Sequence, residues 1–127
     1  MRSALAALLL AHGVAHLVGF VGAFQLSPTV PAPARLLGGV ATLEGPALRA
    51  FGLFWLLLAL SFAATAVGAL LEAEWWGPTT FWLAAVSAAL CVLGLPSTGF
   101  GLLFNAGLLA LLTLDPLGLV ALQRTWQ

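Results

Sequence analysis

Lysine does not occur in this sequence, and charged residues of both signs together make up only 6% of it. So little charge cannot coat a water-soluble globule when 62% of the residues are hydrophobic and the mean hydropathy is +1.12. The composition is that of an integral membrane protein. The four basic residues, Arg2, Arg35, Arg49 and Arg124, balance four acids and form no run. Nothing in the chain could neutralise a phosphate backbone, so nucleic acid is not an expected partner. A single cysteine, Cys91, rules out an internal disulfide and any CxxC redox or zinc motif. No carboxylate lies inside an apolar run, since Glu44, Glu72, Glu74 and Asp115 all stand at run ends. That removes serine-triad hydrolysis, which also lacks its nucleophile elbow here, and leaves an intramembrane proton relay without a continuation.

What the chain does have is four apolar runs separated by turn signals. They predict an all-α, integral membrane four-helix bundle in one domain, residues 1–127, with spans at about 4–26, 47–71, 78–95 and 99–114. The Met1-Arg2 start and the small residues at Gly22-Ala23 resemble a secretory signal. The first run is longer than a signal core and carries two histidines, so it reads as a span. Pro28, Pro31, Pro33 and Pro46, with the Gly38-Gly39 pair, mark one long connection, in which Ala34 to Leu43 is expected to form a short interfacial helix. Trp75-Trp76-Gly77-Pro78 reads as an interfacial aromatic anchor and a turn into the third span. Asp115-Pro116 stops the fourth helix, and the tail from Leu117 to Gln127, with Arg124 and Trp126, reads as a second interfacial segment. No convincing repeat relates the two halves, so an inverted-repeat transporter is not supported. Arginines divide evenly between the two faces, and the positive-inside rule sets no orientation.

The first span holds two patterns side by side. Ser3, Ala7, Ala11, Ala15, Gly19 and Ala23 recur every four residues, a small-residue ridge expected to pack against another helix. His12, His16 and Phe20 form the neighbouring ridge. Ionisable groups deep in a span persist where something pairs or uses them, which makes the histidine pair the first functional clue. By depth, Ser61, Ser87 and Asn105 fall in the same layer, with Trp55 and Cys91 somewhat nearer the long loop. Ser61, Thr65 and Ser87 read as helix-to-helix or own-helix ties. Asn105 cannot satisfy its amide on its own helix, and either a histidine or backbone carbonyls would complete it.

For the histidines, one reading is a neutral, hydrogen-bonded pair that sets helix register. Another is a transition-metal site, for which Cys91 is the one further ligand at suitable depth. A bis-histidine haem cannot form within one chain, because both imidazoles leave the same helix; a homodimer would have to supply one. A quinone-like ligand, or another apolar molecule with a carbonyl or hydroxyl, asks for a hydrogen-bond donor, an amide and an apolar slot, which His12, His16, Asn105 and Trp55 would supply.

Three stretches carry a resemblance: His12-Gly-x-x-His16-Leu-x-Gly19-Phe20, then Gly52-Leu-Phe-Trp55-Leu, then Pro96 followed by Phe100-Gly101 and Asn105. Through them the chain resembles a group of uncharacterised small bacterial four-helix membrane proteins, and more loosely the DoxX-like architecture. The resemblance implies a four-span bundle in which His12, His16, Trp55 and Asn105 belong to the pattern, and it implies no particular activity or cofactor. In some such proteins the bundle precedes a soluble domain, and the expectation here is the bundle alone.

The expected protein is therefore a multi-pass protein of a bacterial plasma membrane whose histidine pair and Asn105 form a polar pocket for a small apolar ligand or cofactor. Whether it catalyses anything is open at this level. The alternative is a non-catalytic accessory or structural subunit, bound through its small-residue ridge to a larger membrane complex or to copies of itself. The span count makes the first prediction: cysteines introduced by Ser3→Cys and Val120→Cys label from the same side of oriented vesicles. Labelling from opposite sides would contradict a four-span topology.

Overall fold

The computed structural model describes residues 2–114. The expectations for Asp115-Pro116 and for the tail with Arg124 and Trp126 lie outside the described residues. Four α-helices follow one another: α1 (Arg2–Ala23), α2 (Gly45–Leu70), α3 (Trp76–Leu93) and α4 (Gly99–Leu114). The protein is the all-α four-helix bundle its apolar runs predict. At about 1.5 Å per residue, α1, α2 and α3 reach roughly 33, 39 and 27 Å, against a hydrocarbon core about 30 Å thick. All three are long and apolar enough to cross a membrane. This is a multi-pass membrane protein. The 16 residues of α4 are equally apolar and pack antiparallel along α3 as the fourth member of the bundle.

The tightest packing joins α1 to α2. Ala6, Leu9, Gly13, His16 and Ala23 are buried on α1, with Phe20 half-buried in the same stripe, and the steps between them alternate three and four residues. Gly52, Trp55, Ala59, Phe62, Ala66 and Ala69 repeat that rhythm on α2. A 3.5-residue period on both helices lets two apolar stripes stay in register along their length. The pairing is antiparallel. Gly52 meets Ala23, Trp55 lies on Gly19, and Ala59 and Phe62 meet Gly13. At the far end Arg2 forms an ion pair with Glu72. A Cβ on Gly13 would sit 2.9 Å from the Ala59 carbonyl oxygen and 3.1 Å from the Phe62 Cβ. The absence of a side chain there sets how closely the two helices approach.

The seam corrects the expectation for the small-residue ridge. Ser3, Ala7, Ala11 and Ala15 are exposed, and only Gly19 and Ala23 reach α2. The reason is helix geometry: residues four apart advance by about 40° round the axis, so a four-residue ridge winds from one face of α1 to another. A stripe alternating three and four residues does not wind in this way, and it is the one that is buried. Trp75 and Trp76 also part company. Trp75 is exposed and covers Gly68, whereas Trp76 turns into the core beside Ala6, Leu9, Phe62 and Ala69. Helix α3 accordingly starts at Trp76 rather than Pro78. The proline still falls in the first turn, where its missing N–H breaks no helical bond.

Both α1 and α2 end in paired reverse bonds, Leu26 N–H to Val21 C=O with Gln25 N–H to Gly22 C=O, and Ala73 N–H to Gly68 C=O with Glu72 N–H to Ala69 C=O. Gln25 and Glu72 take the left-handed backbone that this motif needs. The long connection differs from expectation. In place of an interfacial α-helix over Ala34 to Leu43, strands β1 (Arg35–Leu36) and β2 (Ala41–Thr42) pair antiparallel around a single 3-10 turn, Leu37–Gly39. Gly38 and Gly39 both have positive φ, a conformation a helix does not contain and glycine adopts without strain. This hairpin is tied across to the α3–α4 turn by Gly38 N–H to Leu95 C=O at 2.9 Å. The preceding segment folds back so that the Pro31 carbonyl rests on Gly22.

The seam predicts a contrast between neighbouring positions. Gly13→Leu should overpack the α1–α2 contact and cost about 1 to 3 kcal/mol, while Ala7→Leu, on the exposed ridge, should stay within about 0.5 kcal/mol of the parent. Thermal unfolding in detergent measures both, and equal effects would contradict the seam.

Candidate functional site

Midway along α1, His12 and His16 leave the helix one turn apart and turn inward, with ring centroids 4.5 Å apart. His16 is 2% exposed and His12 7%. Each ring is held by aromatic neighbours. His12 stacks on Phe104 of α4 at 4.2 Å and meets the edge of Phe62 of α2, while His16 lies against Phe62 and Trp55 of α2. Helices α3 and α4 then supply the polar partners, Ser87 and Asn105, each fully buried.

The hydrogen bonds have a direction, and one group sets it. His16 Nδ1 lies 2.9 Å from the carbonyl oxygen of His12. A carbonyl only accepts, so this nitrogen carries the proton. In the neutral ring His16 Nε2 is then an acceptor, and the Ser87 hydroxyl donates to it at 2.8 Å. With its one hydrogen used, Ser87 Oγ accepts from Asn105 Nδ2 at 2.7 Å. The amide oxygen of Asn105 in turn accepts from His12 Nε2 at 3.1 Å. Four side chains from three helices thus form a directed chain that begins and ends on His12. A longer approach of 3.5 Å from His12 Nε2 to Ser87 Oγ and a 3.8 Å contact from Asn105 Nδ2 to Cys91 Sγ complete the cluster. All of these but the bond from His16 to the His12 carbonyl, which lies within α1, tie one helix to another.

Two polar atoms are left over. His12 Nδ1 has no hydrogen-bond partner among the described residues. Trp55 Nε1 is buried and also has none. Both side chains line a cleft of about 510 Å³ that runs between α1 and α4. Ala11 and Ala15 leave the space on the α1 side, and Phe100, Gly101 and Phe104 form the α4 side. Cys91 lies deep in it, and Pro31, Ala32 and Pro33 of the long loop cover one end. The small-residue ridge therefore has a role other than helix contact: its missing side chains leave the cleft open.

All four residues expected at the site, His12, His16, Asn105 and Trp55, come together. Asn105 bonds to a histidine, and that histidine is His12. Thr65 bonds back to the Ser61 carbonyl of its own helix, as expected, and Ser61 takes no part in the cluster. Ser87 was expected only as an own-helix or helix-to-helix tie. It is the hub through which His16 and Asn105 are connected. Its spacing of four from Cys91, at the depth of the histidines, was the available signal. Phe62 and Phe104, which clamp the imidazoles, left no signal in a chain so rich in apolar residues. As a metal centre the cluster is poorly equipped, because three of the four imidazole nitrogens are already committed to hydrogen bonds. Among the described residues no group of three or more His, Cys, Asp and Glu side chains converges.

No family model, curated protein or solved structure matches this chain.

The directed chain predicts opposite tautomers for the two histidines, Nε2–H on His12 and Nδ1–H on His16. Imidazole ¹⁵N chemical shifts of the detergent-solubilised protein distinguish them, and identical tautomers would contradict the network. Ser87→Ala should cost about 1 to 2 kcal/mol of stability, because it strips a partner from both His16 and Asn105.

Proposed function

We propose that this protein binds a small apolar ligand or cofactor with one hydrogen-bonding end, quinone-like in character, in the cleft between α1 and α4. His12, His16 and Trp55 line its polar end, with Asn105 bonded behind His12. The observation that carries this reading is the pairing of open space with an unused polar atom. A cleft of about 510 Å³ falls within the roughly 300 to 1,000 Å³ usual for small-molecule sites. Beside it, His12 Nδ1 has no hydrogen-bond partner among the described residues. A polar group left unpaired in apolar surroundings costs about 1 to 3 kcal/mol, and a ligand's hydrogen-bond donor would recover it.

In this reading the chain belongs with the small bacterial four-helix membrane proteins that share its His12-Gly-x-x-His16-Leu-x-Gly19-Phe20 motif, and it resides in a bacterial plasma membrane. Asn105 and Ser87 hold the imidazoles in place, and Phe104 and Trp55 provide flat walls for a ring. A metal would have to displace hydrogen bonds already made, so it is the weaker candidate for the same place.

One observation favours a second reading, that of an accessory or structural subunit. Ser3, Ala7 and Ala11 present small residues outward at four-residue spacing, which suits a neighbouring helix of a larger complex. A helix seated there would cover the cleft mouth, and no small molecule would accompany the protein.

Native mass spectrometry of the detergent-purified protein, with its absorption spectrum and elemental analysis, separates the two. The proposed function predicts a bound organic molecule that is lost in His16→Ala and in Asn105→Leu. It is also lost in Ala15→Phe, which fills the cleft from an exposed position with little change in stability. A protein that carries no small molecule and instead retains a stoichiometric membrane partner would refute the ligand reading.

A further inference from the structure

We propose that the ligand of this cleft is an apolar molecule bearing a hydroxyl group, a hydroquinone rather than a quinone. The proposal rests on the ligand reading above and adds the chemistry of the end group. Hydrogen-bond direction carries it. Because His16 Nδ1 can only donate to the His12 carbonyl, at 2.9 Å, the chain through Ser87 and Asn105 runs one way and ends with His12 Nε2 donating to Asn105 Oδ1 at 3.1 Å. His12 Nδ1 is therefore an acceptor, and it has no partner among the described residues. Its side chain is 7% exposed and lines the cleft. Trp55 lines the same cleft, but its Nε1 is buried out of a ligand's reach.

An unused acceptor asks for a donor. A ketone or ether oxygen accepts only and would leave the lone pair of His12 bare. A hydroxyl gives its proton to His12 Nδ1. Sites that present buried polar groups discriminate most strongly against analogues that leave one of those groups unpaired. The rest of the molecule must be apolar. At the mouth Phe100 is 91% exposed, Val18 56% and Leu8 53%, all facing outward from apolar helix flanks. A tail attached to the ring would lie along these side chains within the hydrocarbon and lose no hydration on binding.

The test compares three probes of one skeleton, a short-chain benzohydroquinone, its quinone and its dimethyl ether, titrated calorimetrically into the purified protein under reducing conditions for the first. The hydroquinone is expected to bind at least about tenfold more tightly than the other two, the loss expected from one unpaired buried group. Binding of the hydroquinone should move the ¹⁵N resonance of His12 Nδ1 and leave those of His16 in place. Quinone binding as tight as hydroquinone binding, or an unmoved His12 resonance, would overturn the hydroxyl assignment and leave the cleft as a ligand site. Failure of all three probes, in a protein that also carries no bound molecule, would overturn the hydroxyl assignment together with the ligand reading beneath it.

Discussion

Two imidazoles midway along a membrane-spanning helix need partners that water cannot supply, and the bond from His16 Nδ1 to the His12 carbonyl decides how those partners are arranged. Once that nitrogen is a donor, Ser87 must give its hydrogen to His16, Asn105 must give one to Ser87, and His12 must give one to Asn105. No member of the set can reverse alone. The positions of α3 and α4 relative to α1 follow, because Ser87 and Asn105 reach the histidines only if their helices are turned and shifted to suit. A network this complete, in surroundings of low dielectric, favours one helix arrangement over its sliding neighbours.

Packing provides the second constraint, and it acts on the other helix pair. Gly13 lets α1 and α2 approach until a Cβ there would clash with the Ala59 carbonyl, and the alternating steps of three and four keep that contact along the pair. On the neighbouring face the same helix carries Ala11 and Ala15, again small, but opposite them stands α4 at a distance. Small residues thus perform opposite tasks on two faces of α1. Where a partner helix closes in they permit contact, and where none does they leave a cleft. The proline-rich loop covers one end of that space because the Pro31 carbonyl rests on Gly22 and the hairpin is tied to Leu95.

The division of polar atoms within the site has a functional sense. Asn105, Ser87 and three of the four imidazole nitrogens are occupied with one another, which makes them a rigid support. His12 Nδ1 is left at the cleft as an acceptor. An arrangement built only to hold helices together would have no reason to keep an open cleft beside an unsatisfied group, since a polar atom without a partner is costly in a medium that offers none. This is the physical ground on which a ligand is proposed and the accessory-subunit reading is placed second.

Sequence alone determined the class of the molecule and the members of its polar layer. Apolar runs of span length, broken by Pro28 to Pro46, Gly77-Pro78 and Pro96, require a helical bundle in a membrane, because each backbone polar group there must bond within its own helix. The depth of His12, His16 and Asn105 follows from counting residues along those helices. Which face of each helix turns inward could not be counted. The ridge from Ser3 to Ala23 and the stripe from Ala6 to Ala23 are both rich in small residues, and only the tertiary structure, through the closeness of α2 at Gly13 and the gap before α4, decides which is buried. The hub position of Ser87 and the inward turn of Trp76 were likewise settled between helices. Periodicity within a chain reports a helix and its depth, whereas rotation about the helix axis is set by what the neighbouring helices bring to meet it.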